Sequence, residues 1–115
     1  MKVFKFGGAS ISSIERIHNV ANIIQSFAGE KLFIIISAMG KTTNNLEKVV
    51  ETFFEGHKEG ALALFNKIKQ DHIDVSNQLT GETAKQFMDL FTEVEWLLHD
   101  KPVREYDYYY DQIVC

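Results

Sequence analysis

The sequence predicts a helix-rich α/β fold with two parallel strands, at about residues 2–6 and 31–37, and about five helices. Three observations carry this. "KVFKF" is short, rich in β-branched and aromatic residues and stopped by Gly7 and Gly8. "LFIIIS" is a continuous apolar run between turn-forming residues, and elsewhere apolar residues recur at helical spacing.

The first strand gives way directly to a helix with apolar positions Ile11, Ile14, Ile17, Ala21, Ile24 and Ala28; Ser10, Ser12 or Ser13 is its N-cap and Gly29 its stop. The second strand, Leu32 to Ser37, lacks polar alternation, the pattern of a strand covered on both faces. A helix between two such strands makes a right-handed crossover. The strands are then parallel, and the loops "GGAS" and "SAMGKTTN" leave the same sheet edge as neighbours.

The next helix starts near Asn44, at capping-box spacing from Glu47, carries Leu46, Val49, Val50, Phe53 and Phe54 on one face, and ends at Gly56. Two amphipathic helices follow as arms of a hairpin. One shows Ala61, Leu64, Phe65, Ile68, His72 and Val75; the other runs from Ala84 through Phe87, Phe91 and Val94 to Leu98, before Pro102 interrupts. The closing segment has Val103, Tyr106, Tyr110 and Ile113 at helical spacing with no cap or stop, so the chain is expected to end inside an element.

At 115 residues with 45% hydrophobic content, the chain suits one domain with a core. A net charge of -4 and a pI near 5.5 oppose nucleic-acid binding, which needs a basic face, so any anion site must be local. No apolar run approaches the roughly 20 residues of a membrane span, and the N-terminus lacks a signal peptide's features, so a cytoplasmic protein is expected. Cys115 is the one cysteine, which excludes an internal disulfide or a cysteine-based zinc site and leaves it a structural role.

Glycines at a strand-to-helix junction let backbone approach an anion, while the first amides of the helix offer unpaired donors and the positive end of its dipole. Gly7 and Gly8 fit this, with Lys5 as a point charge and Ser10 as a hydroxyl; the plain alternative is a tight turn with a capping serine and a solvated lysine. In the second loop, Gly40, Lys41 and Thr42 resemble the tail of a Walker A motif, but position 35, where that motif needs glycine, is isoleucine. What remains is a hydroxyl-rich turn with Ser37, Thr42, Thr43 and Asn44, in which Thr43 or Asn44 either meets a ligand or caps the helix. His18, His57, His72 and His99 share no metal-ligand spacing, Glu51, Glu55 and Glu59 form a solvated row, and the run Tyr108 to Tyr110 reads as packing against an absent partner. No Ser-His-Asp or Cys-His arrangement is present.

"KFGGAS" at the N-terminus, then a helix, a buried strand and "SAMGKTTN", resemble the start of the aspartate kinases of the amino-acid-kinase family, whose usual first signature is Lys-Phe-Gly-Gly-Thr-Ser. The likeness covers residues 1 to about 50, and the helical stretch and the ending "YYDQIVC" resemble the family as well. It implies an incomplete N-terminal part of an amino-acid-kinase catalytic domain, spanning 1–115 without a regulatory ACT domain. By position, Lys5 would be the catalytic charge on the transferred phosphate, and Lys5, Gly7, Gly8 and Ser10 would hold the ATP phosphates. Ser37 and Thr43 would line the aspartate site. The implied substrates are L-aspartate and ATP, with Mg2+ carried by the nucleotide and no protein metal site, in a homo-oligomer. A carboxylate acceptor is already ionised at neutral pH, so no general base is needed.

Two departures stand out. Residue 9 is alanine where the family usually has threonine, so one hydroxyl is missing near the phosphates. The chain also stops before the Ser-x-Gly-Glu motif of those enzymes, so a fragment without activity of its own is expected. Alternatives are a kinase acting on glutamate or acetylglutamate, or a non-catalytic helical interaction module.

Overall fold

The computed structural model describes all 115 residues: β1 (Lys2–Phe6), a 3-10 turn (Gly8–Ile11), α1 (Ile14–Ser26), β2 (Leu32–Ile36), α2 (Thr42–Phe54), α3 (Lys58–Thr80), α4 (Lys85–His99) and α5 (Tyr106–Ile113). The expected class, helix-rich α/β with two parallel strands and five α-helices, is the one observed. The chain forms two compact units, Met1–Thr42 and Thr43–Cys115.

In the first unit β1 and β2 pair in parallel register, from Lys2 opposite Leu32 to Phe6 opposite Ile36. Alternation along β1 sends Phe4 and Phe6 to one face, where they meet Ile17, Val20 and Ile24 of α1, and Phe4 packs edge-on against Phe27 at 4.9 Å. The opposite face is bare: Val3 is 60% exposed, Phe33 54% and Ile35 45%. The reading of β2 as covered on both faces is therefore corrected: α1 packs on Phe4 and Phe6 of β1, nothing in this unit covers the opposite face, and even on the α1 side Ile36 is 56% exposed.

A second correction concerns the start of α1. The glycines lead into a single 3-10 turn, and α1 begins only at Ile14, where the Ser13 hydroxyl accepts from the Arg16 amide at 3.2 Å. Ser13 is thus the N-cap among the three serines expected for it. After Phe27, Gly29 adopts φ +93, a left-handed turn that turns the chain toward β2.

The second unit is helical. Its core joins Val49, Val50 and Phe53 of α2 to Phe65 and Ile68 of α3, Phe91 and Leu98 of α4, and Tyr109 of α5. Each of the fully buried Phe53, Leu98, Val49 and Val50 side chains contributes about 1.5–3 kcal/mol through removal from water. α3 and α4 form the expected hairpin, with Phe65 against Phe91 at 6.0 Å and Lys69 paired to Glu95 at 2.7 Å. Gly81, at φ +81, ends α3 and donates its N–H to the Asn77 carbonyl.

α2 begins at Thr42, so Asn44 lies inside the helix and the expected capping box does not form. Glu47 instead accepts a 2.8 Å hydrogen bond from the Tyr110 hydroxyl, which ties α5 to α2. Tyr109 is 2% exposed, and its phenol oxygen accepts from the Val103 and Arg104 amides at 2.8 and 3.0 Å. Two of the three tyrosines expected to face an absent partner therefore pack within their own unit. Tyr108 is exposed, stacked beneath the Arg104 guanidinium. Cys115 is free and exposed.

Candidate functional site: a glycine loop with free amides

The parallel ladder ends where the Ser37 amide donates to the Phe6 carbonyl at 3.0 Å, so both strands leave the sheet side by side. The loops stay together beyond it. The Gly40 amide donates to the Gly8 carbonyl at 3.1 Å, which is the adjacency that the crossover predicts. A Cβ on Gly8 would lie 2.6 Å from the Gly40 carbonyl oxygen and 3.0 Å from that of Ala38, so this close backbone approach requires glycine at position 8. Gly7 differs. Its backbone is extended, at φ -77 and ψ 173, and a Cβ there would meet nothing within 4 Å, so the chain's own packing places no demand for glycine at position 7.

The loop's polar groups divide by direction. The carbonyls of Phe6, Gly7 and Gly8 accept from the amides of Ser37, Ser10 and Gly40 respectively, at 3.0 to 3.1 Å. In a trans peptide the N–H points opposite to the C=O, so each engaged carbonyl turns the following amide outward. The N–H groups of Gly7, Gly8 and Ala9 accordingly have no acceptor in the chain. The Ala9 carbonyl is held as well, accepting from the Ser12 hydroxyl at 3.0 Å and from the Arg16 guanidinium at 3.1 Å. Three successive free amides with their carbonyls turned away form a concavity suited to an anion.

Lys5 lies on β1 one residue before the buried Phe6; it is exposed and forms no ion pair. Ser10 is exposed within the 3-10 turn, its amide closing that turn onto Gly7. Lys5, Gly7, Gly8, Ser10 and Ser37 thus share one sheet edge in the first unit. Thr43 is the second residue of α2 and belongs to the other unit. Neither Thr43 nor Asn44 serves as a cap; Thr42 begins the helix, its hydroxyl and amide both donating to the Met39 carbonyl. The donors at the glycine loop therefore come from a 3-10 turn, not from the first turn of α1 as the spacing suggested.

Charge is unevenly divided. Residues 1–42 hold five Lys and Arg against two Asp and Glu, whereas residues 43–115 hold seven against fourteen. The glycine loop lies in the unit with the positive surplus. Motif spacing gives no hint of Arg16; the one local signal is a basic residue in the first turn of a helix, where acids are favoured.

The model of the amino acid kinase family matches residues 1–105. Aspartokinase 2, chloroplastic, of Arabidopsis thaliana is 42% identical over 89 residues, which is 71% of this chain and 15% of that protein. An aspartokinase of a Bacillus species is 52% identical over 46 residues, 38% of this chain and 11% of the relative. A chloroplastic bifunctional aspartokinase/homoserine dehydrogenase of Zea mays is 30% identical over 87 residues, 75% of this chain and 9% of its own length. The chain thus spans about 15% or less of these relatives. With a strand, a glycine loop and a parallel crossover as its opening, and a family match over nearly its whole length, the chain belongs to the amino acid kinase family.

Proposed function

We propose that the chain is part of an aspartate kinase, in which the glycine loop holds the phosphates of ATP while the γ-phosphoryl group passes to the side-chain carboxylate of L-aspartate. The supporting observation is the set of free amides at Gly7, Gly8 and Ala9 with their carbonyls turned away. The likeness to aspartokinases supports aspartate as the acceptor.

In this reading an aspartate carboxylate oxygen attacks the γ-phosphorus, the bond to the β,γ-bridging oxygen breaks, and ADP leaves with the bonding pair. Such a transfer asks the protein for alignment and charge stabilisation. The three amides hold phosphate oxygens, Lys5 offsets charge on the moving group, and Ser10 adds a hydroxyl. Ser37, at the same sheet edge, contacts aspartate. Magnesium enters with the nucleotide.

The test is to assay the protein with its native flanking sequence against aspartate, glutamate and acetylglutamate. Phosphorylation of aspartate is expected, and Lys5→Ala should lower kcat about 100-fold or more with a much smaller change in the KM for aspartate. Transfer to glutamate but not aspartate would overturn the acceptor, and unchanged turnover in Lys5→Ala would remove Lys5 from the chemistry.

A further inference from the structure

We propose that Arg16 is a positioning residue of the glycine loop, locking the peptide that follows the anion concavity and adding a fixed positive charge behind it. This rests on the phosphate-binding reading of Gly7 to Ala9 given above.

The three outward amides are directed by carbonyls that bond to backbone, and the next carbonyl, that of Ala9, takes side-chain donors. Turned outward, that oxygen would present its lone pairs to the same space as the amides and repel an anion. Two side chains hold it inward, the Ser12 hydroxyl at 3.0 Å and the Arg16 guanidinium at 3.1 Å. The Ser10 amide, on the same peptide, stays on the Gly7 carbonyl and closes the turn.

Arg16 stands three residues after the cap Ser13, where a capping box would have glutamate or glutamine. A cation there opposes the helix dipole, and Arg16 has no carboxylate partner to offset it. Its side chain instead reaches back seven residues across the 3-10 turn to Ala9. An anion seated on the loop would balance both this guanidinium and Lys5. The fork geometry of arginine allows one nitrogen to stay on the carbonyl while the others remain free to donate.

The test follows the amide resonances of Gly7, Gly8 and Ala9 in the 115-residue chain during titration with inorganic pyrophosphate. Saturable movement of these resonances is expected in the unaltered protein. Arg16→Ala should weaken the apparent Kd about tenfold, Arg16→Lys should recover part of the loss through charge alone, and Ser12→Ala should weaken binding about two- to threefold because one donor remains. The α1 resonances report whether each variant folds; if Arg16→Ala fails this check, Arg16→Lys and Ser12→Ala decide the matter. Saturable binding with the same Kd in the folded Arg16 variants would overturn the role of Arg16 and leave the phosphate loop standing. Absence of movement in the unaltered protein would overturn the loop reading, and this role with it.

Discussion

Alanine at position 8 would place a methyl group 2.6 Å from one carbonyl oxygen, that of Gly40, and 3.0 Å from another, that of Ala38. Both are backbone atoms, so no rotamer relieves the overlap and the two loops must separate. Separation loses the hydrogen bond from the Gly40 amide to the Gly8 carbonyl, a net cost of about 0.5–1.5 kcal/mol. The strain of any residual overlap adds about 1–3 kcal/mol. Gly8→Ala should therefore destabilise the first unit by about 1.5–4.5 kcal/mol.

Gly7→Ala is the internal control. The backbone at position 7 lies in a region open to alanine, and its Cβ would meet nothing within 4 Å. Restricting the unfolded chain should even favour the variant by about 0.4–1 kcal/mol. The new methyl group would nevertheless stand beside the free amides, so pyrophosphate should bind about tenfold more weakly. Hydrogen exchange of the α1 and β1 amides measures the stability of this unit, and the pyrophosphate titration measures the site. Unchanged protection in Gly8→Ala, or equal destabilisation by both variants, would refute the assignment of separate demands to the two glycines.

Two further predictions concern the second unit. The hydrogen bond to Glu47, together with burial, raises the Tyr110 phenol above its ordinary 10.0, so its stabilising contribution is complete below that value and lost as pH rises through the higher folded one. Tyr110→Phe should therefore flatten the alkaline decline in urea-unfolding free energy above about pH 10, leaving the part due to Tyr106, which burial and Glu51 also raise; an unaltered slope would exclude the bond as its source. Phe53→Ala removes a ring that is 1% exposed and 5.0 Å from Tyr109, and should cost about 3–5 kcal/mol in the same urea measurement. A loss below about 1 kcal/mol would mean that the α2–α5 contact does not hold the core.

The strands, the crossover and the helical hairpin were legible in the sequence because each rests on local periodicity and on glycine or proline stops. The errors arose where a partner distant in sequence decides. Asn44 and Glu47 have capping-box spacing, but Glu47 is taken by Tyr110, 63 residues away, and α2 starts at Thr42 instead. "GGAS" was followed by apolar residues at helical spacing from Ile11, yet the 3-10 turn intervenes because the Gly7 carbonyl captures the Ser10 amide. Ser13, with its side chain free to accept from Arg16, then makes the later start the stable one. The run "LFIIIS" correctly marks a strand, while its cover depends on what lies above each face, which periodicity does not record.

The same limit applies to charge. A formal net charge of -4 describes no surface of this chain, because the first unit carries a surplus of three positive charges and the second a surplus of seven negative ones. At physiological ionic strength the Debye length is about 8 Å, so an anion at the glycine loop responds to charges within that distance far more than to the total. Three of the five basic residues of the first unit, Lys5, Arg16 and Lys41, lie on or next to the segments that form the loop edge. The acidic composition excluded a broad basic face and required any anion site to be local. The partition at Thr42 turns that requirement into a reason for the site's position: a short strand and a glycine turn, low in acidic residues, can present outward amides without a carboxylate competing for them.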